Sequence, residues 1–493
     1  MKKLDFTKER NLNMLVDFYE LTMSNGFFEN GFKDEIAYFD MFFRKIPDNG
    51  GYVITAGLEQ FIEYIESLRF EEEDIKFLRN KNIFSEDFLQ YLLNFKFTGD
   101  IYAMPEGTVA FPNEPIVTVK APIIQAQLLE TILLITINHQ SLIATKASRI
   151  VRSAKGKPII EMGGRRSQGY DGALYGARAS YIGGITSTSN LLAGKMFDIP
   201  VEGTMAHSWI QFFDSEYEAF KTYAKTYPDN CSLLIDTYDV LNSGLPNAIK
   251  VHNEVLKPLG KSLKSIRLDS GDIAYLSKKC RKILNKAGLK DCKIIVSNSL
   301  DEHIITSLLE QDSKIDIFGV GENLITSKSN PVFGGVYKLV AVEKNGEIIP
   351  KIKISENIEK ISTPGHKQVW RLYQKNGVKA IADVITLFDE NIDGEKPYII
   401  FDPENTWKRK TITKCFPIPL LWKIYEGGKL IYTDYYEGVY NLEDIKNTCK
   451  THENSLWNEI KRLTNPQNYF VDLSKNLYDL KTNLINENKK GGI

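Results

Sequence analysis

The chain has 493 residues, with 62 Lys and Arg against 63 Asp and Glu, which gives a formal net charge of −1. Hydrophobic residues make up 43% and charged residues 25%, values typical of a globular protein, so a disordered or fibrous chain is excluded. The balanced charge provides no broad basic face for nucleic acid. An anionic ligand must therefore bind in a pocket, to a few basic side chains and backbone N–H groups.

The N-terminus and the cysteines indicate the compartment. Lysines at positions 2 and 3 are not followed by an apolar segment, so no secretory signal is predicted. The most apolar stretch, residues 122–137, is interrupted by polar side chains and is too short to cross a bilayer. The five cysteines form no CxxC pair, which fits reduced thiols. We expect a cytoplasmic protein without a membrane span.

The first 150 residues mix helix and strand signals. Apolar residues at helical spacing predict a helix over 58–67, and a charged helix follows over 71–79. β-branched residues and prolines between 107 and 122 predict short strands at turns. An almost continuously apolar stretch over 125–148 predicts one long buried helix. We assign residues 1–150 to an N-terminal α/β domain.

From residue 157 onward, short apolar runs alternate with Gly- or Asp-rich turns and helical stretches. This alternation predicts parallel strands with helices outside the sheet, and seven such runs favour an α/β barrel over residues 151–342. The runs are 158–161, 199–202, 233–236, 265–269, 294–297, 315–318 and 336–340.

The pattern becomes irregular after the barrel segment. Short strands are predicted as far as about Tyr432, and a polar helical tail begins at Leu442. We predict that residues 343–493 form a C-terminal domain that packs on the N-terminal one. The tail is interpreted as a solvated helix, and no function is assigned to it.

Polar side chains collect at the predicted C-terminal ends of the strands, where barrel enzymes place their active sites. Guanidinium groups bind phosphate or carboxylate through paired hydrogen bonds, whereas Asp accepts from hydroxyls or orients hydrated Mg²⁺. The mixture suits a substrate that carries both phosphates and ribose hydroxyls. No metal-ligand spacing occurs, so no metal ligand is assigned. The candidates are Glu161, Arg165, Arg166, His207, Asp236, Asp239, Arg267, Asp269, Asp272 and Asn298.

Six sequence motifs follow one another along the chain. They are DFYELTM (17–23), EMGGRRSQG (161–169), GTMAHS (203–208), LIDTYD (234–239), IRLDSGD (266–272) and GGVYKLV (334–340). In content and order they resemble the motifs of nicotinate phosphoribosyltransferases, and the resemblance covers about residues 13–387. It implies the type II phosphoribosyltransferase fold: an incomplete (β/α) barrel with an adjoining α/β domain and a C-terminal extension.

The resemblance also implies a reaction. Nicotinate and 5-phosphoribosyl 1-diphosphate would give nicotinate mononucleotide and diphosphate, with ATP as co-substrate driving this first step of NAD salvage. Mg²⁺ would arrive with the diphosphate, mostly bound to water. The protein would be a homodimer with composite active sites.

Motif by motif, the resemblance assigns a role to each site residue. Arg267 would hold the nicotinate carboxylate, Asp269 the ribose, and Asp236 the ring or the ribose–diphosphate. His207 would be phosphorylated by ATP, with Thr204 beside the base. The other substrate-binding residues would be Arg165 for diphosphate, Tyr19 stacking on the ring from a second subunit, Gly319, Gly321 and Thr326 around the 5′-phosphate, and Ser187 and Asn298.

Two alternatives remain at this stage. One is a nicotinamide or quinolinate relative of the same fold, against which Arg166 beside Arg165 and the Ala-His-Ser context of His207 favour nicotinate. The other is a catalytically silent nucleotide-binding regulator. Loss of His207 or Arg267 would indicate such a protein, and both residues are present.

Overall fold

The computed structural model describes residues 11–357, 360–405, 407–432 and 441–490. The chain divides into two compact units. The sheet unit comprises the residues up to Leu142 and those from Val332 onward, whereas the barrel unit comprises Ile143–Pro331. The residues after 342 therefore share a unit with the N-terminal residues. The division into three domains at residues 150 and 342 stays a prediction.

Helices and strands are numbered in chain order. The helices are α1 (Phe18–Glu29), α2 (Leu58–Ser67), α3 (Glu72–Arg79), α4 (Glu86–Leu93), α5 (Ile123–Gln127), α6 (Glu130–Ser153), α7 (Gly169–Ile182), α8 (Leu191–Phe197), α9 (His207–Phe212), α10 (Glu216–Thr226), α11 (Leu245–Val251), α12 (Ile273–Lys286), α13 (Glu302–Glu310), α14 (Glu322–Ile325), α15 (Leu442–Ser455) and α16 (Lys475–Lys490).

The strands are β1 (Ile36–Phe42), β2 (Val53–Ile54), β3 (Asp100–Ala103), β4 (Val109–Ala110), β5 (Val117–Pro122), β6 (Ile159–Glu161), β7 (Ser187–Thr188), β8 (Ser232–Leu234), β9 (Ser265–Leu268), β10 (Lys293–Val296), β11 (Ile317–Val320), β12 (Val336–Lys344), β13 (Glu347–Pro350), β14 (Lys367–Gln374), β15 (Ala380–Leu387), β16 (Tyr398–Phe401), β17 (Arg409–Ile412), β18 (Cys415–Pro419), β19 (Trp422–Glu426), β20 (Lys429–Leu430) and β21 (Val471–Leu473).

The described residues of the sheet unit form three sheets. A seven-stranded antiparallel sheet has the order β13-β12-β1-β5-β3-β19-β20, and a six-stranded sheet has the order β17-β16-β21-β15-β14-β18. Strands β2 and β4 pair separately. Strand β1 lies in the middle of the first sheet and is buried over almost its whole length, because both of its faces are covered. The strands predicted before Tyr432 are confirmed.

The helices of the sheet unit bury the faces that their apolar spacing predicts. Helix α2 has the predicted bounds, and Leu58, Phe61, Ile62 and Ile65 face the core at successive helical turns. The charged helix predicted over 71–79 is α3. The long buried helix predicted over 125–148 is present as α5 and α6.

One segment among the described residues is long and apolar enough to cross a membrane by length and composition. It is Ile123–Ser153, which comprises α5 and α6 and has a mean hydropathy of 1.2 in its most apolar window. Of that window, 61% is buried inside the protein. A buried core helix meets the same criteria, so the segment is weak evidence for a membrane span.

The barrel unit is built on six parallel strands in the order β7-β6-β11-β10-β9-β8. Each neighbouring pair is in parallel register, for example Val296 with Leu268 between β10 and β9 and Val320 with Glu161 between β11 and β6. Helices follow the strands along the chain, as in a βα repeat. The predicted incomplete α/β barrel is confirmed.

Two of the seven predicted barrel strands are wrong. The run 336–340 lies in β12, which pairs antiparallel with β1 in the sheet unit. The run 199–202 forms only an isolated bridge between Val201 and Thr188. The edge of the barrel sheet is instead β7, a strand of two residues that is too short to produce a sequence pattern.

Candidate active site

A cavity of about 680 Å³ lies at the C-terminal ends of the barrel strands. Its wall includes residues that directly follow β6, β7 and β9, because parallel strands bring their C-terminal ends to one edge. Five predicted site residues line it: Arg165, Thr204, His207, Arg267 and Asp269.

Arg267 is held by three protein groups at this edge. Its Nε donates to Ser297 Oγ at 2.9 Å, one terminal nitrogen donates to Thr204 Oγ1 at 3.1 Å, and the other donates to Asp269 Oδ1 at 3.1 Å. A guanidinium carries five N–H groups, so one N–H on each terminal nitrogen remains. The side chain is only 15% exposed, and its position is therefore fixed before any ligand binds.

Asp269 lines the cavity, whereas the predicted site residue Asp236 is buried and does not line it. The hydroxyl of Ser297 donates to Asp269 Oδ1, so Ser297 joins Arg267 to this carboxylate. Asp236 Oδ2 accepts from the Asp269 backbone N–H at 2.8 Å and from Ser270 Oγ at 2.6 Å. Asp236 Oδ1 is buried and accepts no hydrogen bond from any described residue. Asp236 thus fixes the backbone of Asp269 and keeps one acceptor oxygen unused.

His207 is the first residue of α9 and is partly exposed at the cavity. Its Nδ1 shares a hydrogen bond with Thr237 Oγ1 at 3.0 Å. Its Nε2 lies 3.8 Å from Asp269 Oδ2. When Nδ1 carries the proton and donates it to Thr237, Nε2 has a free lone pair and can act as a nucleophile.

The loop after β6 presents Arg165 to the cavity. Glu161 holds this loop, because its carboxylate accepts from the Gly163 backbone N–H and from Thr188 Oγ1, the latter at 2.6 Å. Burial raises the pKa of the Glu161 carboxyl, and these two hydrogen bonds oppose the rise. Glu161 is therefore a loop-positioning residue, whereas Arg165 is exposed and makes no ion pair with another described residue.

Several predicted substrate-binding residues lie near the cavity without lining it. Ser187 is buried in β7 and donates to Glu202, which does line the cavity, at 3.2 Å. Gly319 packs against Met162, where an added Cβ would lie 2.8 Å from the sulfur. The others are Asn298, which follows β10 with a φ of 99°, Gly321, directly after β11, and Thr326, whose hydroxyl donates to the Glu322 carbonyl.

Tyr19 lies in the sheet unit, near the start of α1. Its side chain is 41% exposed, and partial burial together with the Glu130 carboxylate raises the pKa of its hydroxyl. The chain segment is fixed by a capping box between Asp17 and Glu20. Stacking of Tyr19 on a ligand of a second subunit stays a prediction.

Three of the charged residues expected at the cavity edge have local partners instead. Asp239 accepts from the backbone N–H groups of Leu241 and Asn242, and Asp272 caps α12 by accepting from the Tyr275 N–H. Arg166 is exposed and lies 3.8 Å from Glu322. The two aspartates follow strands because they cap the next helical segment, and Arg166 pairs with a carboxylate at the surface.

The described residues contain no group of three or more His, Cys, Asp or Glu side chains arranged to hold a metal ion. The carboxylates at the cavity edge are nevertheless suited to one or two contacts with a hydrated cation. Mg²⁺ commonly binds through one or two carboxylates and substrate phosphates while keeping several waters.

Comparison with known proteins identifies the family. A model described as the nicotinate phosphoribosyltransferase (NAPRTase) family matches residues 158–380, between matches to the N-terminal domain over 14–138 and the C-terminal domain over 366–481. Nicotinate phosphoribosyltransferase of Bacillus subtilis (strain 168) is 43% identical over 482 residues, which cover 98% of this chain and 97% of that protein. The chain belongs to the nicotinate phosphoribosyltransferase family.

Other relatives agree with this membership. The nicotinate phosphoribosyltransferase of Homo sapiens is 31% identical over 528 residues and covers 96% of both chains. The crystal structure of human nicotinic acid phosphoribosyltransferase superposes with a TM-score of 0.82 over 96% of this chain and 100% of that one. A nicotinate-nucleotide pyrophosphorylase from Pyrococcus furiosus, 22% identical, shares the fold with a TM-score of 0.67. The predicted type II phosphoribosyltransferase fold is confirmed.

Sequence reasoning missed three polar residues of this family member's site. Ser297 bonds both Arg267 and Asp269, Thr237 bonds His207, and Glu202 lines the cavity. Ser297 directly follows β10, and Thr237 and Glu202 also end or follow apolar runs. Their position at the ends of apolar runs was visible in the sequence, but their hydrogen-bond partners depend on the tertiary structure.

Proposed function

We propose that this chain transfers the phosphoribosyl group of 5-phosphoribosyl 1-diphosphate to the ring nitrogen of nicotinate, and that phosphorylation of His207 couples the transfer to ATP hydrolysis. The products are nicotinate mononucleotide, diphosphate, ADP and phosphate. The reaction feeds NAD biosynthesis by salvage of nicotinate. We assign it to the cytoplasm, in keeping with five buried cysteines that form no disulfide.

The proposal rests on the hydrogen bonds that Arg267 makes and on those that it leaves unused. Three of its N–H groups are occupied by the protein, and one on each terminal nitrogen is left as a fork. Such a fork matches the two oxygens of a carboxylate, and both bonds are charge-assisted. A neutral carboxamide offers only one oxygen and presents an NH₂ group to the second donor. The geometry therefore favours nicotinate over nicotinamide.

The transfer itself demands little acid–base chemistry. The pyridine nitrogen attacks C1′ with its own lone pair while the bond between C1′ and the diphosphate oxygen breaks. The site must hold these atoms in line and neutralise the departing diphosphate. Arg165, exposed at the cavity, is suited to the diphosphate, and Asp269 is suited to ribose hydroxyls.

Mg²⁺ enters this proposal with the diphosphate. The Asp269 carboxylate, which lines the cavity, fits the role of an acceptor for a hydrated cation. When bound, the cation supplies positive charge to the leaving diphosphate. The protein's part is to orient that assembly with a fixed carboxylate, which its hydrogen bond from Ser297 already holds in place.

His207 is suited to accept the γ-phosphoryl group of ATP. Its Nε2 forms the bond to phosphorus, the bond between that phosphorus and the bridging oxygen breaks, and ADP leaves. Nδ1 keeps its proton and donates it in a hydrogen bond to Thr237 Oγ1. The negative charge of Asp269 lies near the ring, which is positively charged when Nε2 carries the phosphoryl group. Water later cleaves the P–N bond and releases phosphate, which links ATP energy to turnover.

The test of the coupling uses γ-labelled ATP. Wild-type protein is expected to carry an acid-labile, base-stable label, and His207→Asn to carry none while retaining slow synthesis without ATP stimulation. His303→Asn is the matched control, because His303 is exposed on α13, away from the cavity lining. ATP hydrolysis by His207→Asn in step with mononucleotide formation would contradict the assignment.

We also propose a homodimer with composite sites, in which Tyr19 stacks on the nicotinate ring of the partner subunit. The exposed Tyr19 ring supports this assignment. Mixing inactive Tyr19→Ala and Arg267→Ala chains in equal amounts should restore about a quarter of all sites, because about half of the dimers are mixed and each of these has one intact site. A fully active monomer in sedimentation velocity would refute the dimer.

A further inference from the structure

The sheet unit contains a second, smaller cavity that has no part in the reaction described above. Its volume is about 90 Å³, which is room for a few water molecules or a small anion. The walls are mainly apolar and include Ile385, Leu473 and Ile485. Two lysines, Lys367 and Lys481, also line it.

Lys367 is fully paired within the protein. Its ammonium donates to Asp40 Oδ2 at 2.8 Å and to the backbone carbonyls of Thr363 and Gly365 at 2.9 and 2.5 Å. These acceptors use all three of its N–H groups. The other carboxylate oxygen of Asp40, Oδ1, accepts a hydrogen bond from the Thr118 hydroxyl at 2.8 Å. The Asp40–Lys367 pair is therefore neutral as a unit and has no N–H left for a ligand.

Lys481, on α16, is in the opposite situation. Its only hydrogen bond among the described residues goes to Thr363 Oγ1 at 3.3 Å, and no described carboxylate forms an ion pair with it. Burial and the nearby Lys367 charge lower the pKa of the Lys481 amine to about 8, whereas Glu404, exposed at the cavity, acts in the other direction. The ammonium thus has two unused N–H groups and no ion-pair partner among the described residues.

Two further polar groups line the same cavity. The Thr363 hydroxyl accepts from Lys481 and has its own proton available. The half-buried Asn113 side chain makes no hydrogen bond with another described residue. An ammonium, a hydroxyl and an amide at an apolar cavity form a set of donors that suits an anion with a short alkyl group.

We propose that this cavity binds a small carboxylate, such as acetate or propionate, with Lys481 as its counter-ion. The carboxylate oxygens accept from Lys481, Thr363 and Asn113, and the alkyl end contacts the apolar walls. Binding gives Lys481 an ion-pair partner and joins α16 to the loop that carries Thr363. The site is separate from the substrate cavity, which belongs to the barrel unit.

The first test follows thermal unfolding of the full chain at pH 7 and constant ionic strength, with sodium acetate replacing sodium chloride. Wild type should show a Tm that rises with the logarithm of acetate concentration once this exceeds the dissociation constant. Lys481→Met should show no such rise, whereas Lys475→Met, an exposed position on the same helix, should respond like wild type. An equal response in Lys481→Met would overturn the proposal, and so would an absence of any response in wild type.

A second test needs only the wild-type chain and so does not depend on folding of a variant. Amines are labelled with trinitrobenzenesulfonate at pH 8 and mapped by mass spectrometry. Acetate at twice its dissociation constant should slow labelling of Lys481 about threefold and leave Lys475 unchanged. Unchanged labelling of Lys481 in saturating acetate would refute the site.

Charge and pH provide a third test. The titratable groups at the cavity are Asp40, Lys367, Glu404 and Lys481, and of these Lys481 alone is a half-buried group without an ion-pair partner among the described residues. The acetate response should therefore vanish at pH 9.5, where Lys481 is neutral, and strengthen in Glu404→Gln. A response that persists at pH 9.5, or is lost in Glu404→Gln, would contradict the role of Lys481.

Discussion

Replacing Arg267 by Lys tests how the site recognises the carboxylate of nicotinate. The three acceptors that now hold Arg267 are Ser297, Thr204 and Asp269. A lysine ammonium has three N–H groups in all, and the protein acceptors compete for every one of them. The two-pronged contact with the substrate carboxylate is therefore lost, although the positive charge remains.

The structure sets the size of this effect. Loss of the fork removes charge-assisted hydrogen bonds that together contribute about 3 kcal/mol, so kcat/KM for nicotinate should fall about 150-fold. Nicotinamide, which does not use the fork, should lose much less. Both values are measured from initial rates of mononucleotide formation. Arg281→Lys is the control, because Arg281 pairs with Asp316 outside the substrate cavity. A nicotinate loss below about fivefold, or an equal loss for both bases, would refute the reasoning.

Three more predictions concern positioning and stability. Ser297→Ala should lower kcat/KM for nicotinate about tenfold by freeing Arg267, and Ser297→Thr, which keeps the hydroxyl, should largely restore it; no loss in the Ala variant would contradict this role. Asp383→Asn breaks the fully buried pair with Arg371 and should cost about 3–5 kcal/mol in urea unfolding, whereas Asp312→Asn, in an exposed pair, should leave the unfolding midpoint almost unchanged. Burial raises the pKa of Glu20 to about 7 from 4.5, so the folded state keeps a proton that the unfolded state releases between these values. The free energy of unfolding of wild type should therefore fall relative to that of Glu20→Gln as pH rises from 4.5 to 8. The difference should be at most about 2 kcal/mol, because solvent screens the charge. The same pH dependence in both proteins would contradict this prediction.

Much of the fold follows from local periodicity. Helix α2 and the barrel strands β6, β8, β9, β10 and β11 were predictable because their apolar residues repeat at helical or strand spacing. Strand β12 was misassigned because a run of buried β residues looks the same in a parallel barrel and in an antiparallel sheet. Strand β7 has two residues, so its place at the sheet edge depends on tertiary pairing with β6.

The residues of the site were likewise only partly predictable from the sequence. The rule that strand ends carry the chemistry located Arg267, Asp269 and His207, which the structure brings to one cavity. The same rule also selected Asp272, because a carboxylate after a strand serves equally well as a helix cap. Ser297 could not be recognised by type alone, since its importance arises from bonding two neighbours that are distant in sequence.

The central claim is that this chain makes nicotinate mononucleotide and selects the base by its carboxylate. The most direct measurement is a competition in one tube, with equal nicotinate and nicotinamide, 5-phosphoribosyl 1-diphosphate, Mg²⁺ and ATP, followed by proton and phosphorus NMR. We predict that nicotinate mononucleotide and diphosphate accumulate in equal amounts while the nicotinamide signals stay unchanged. Formation of nicotinamide mononucleotide at a comparable rate, or of no mononucleotide, would contradict the account.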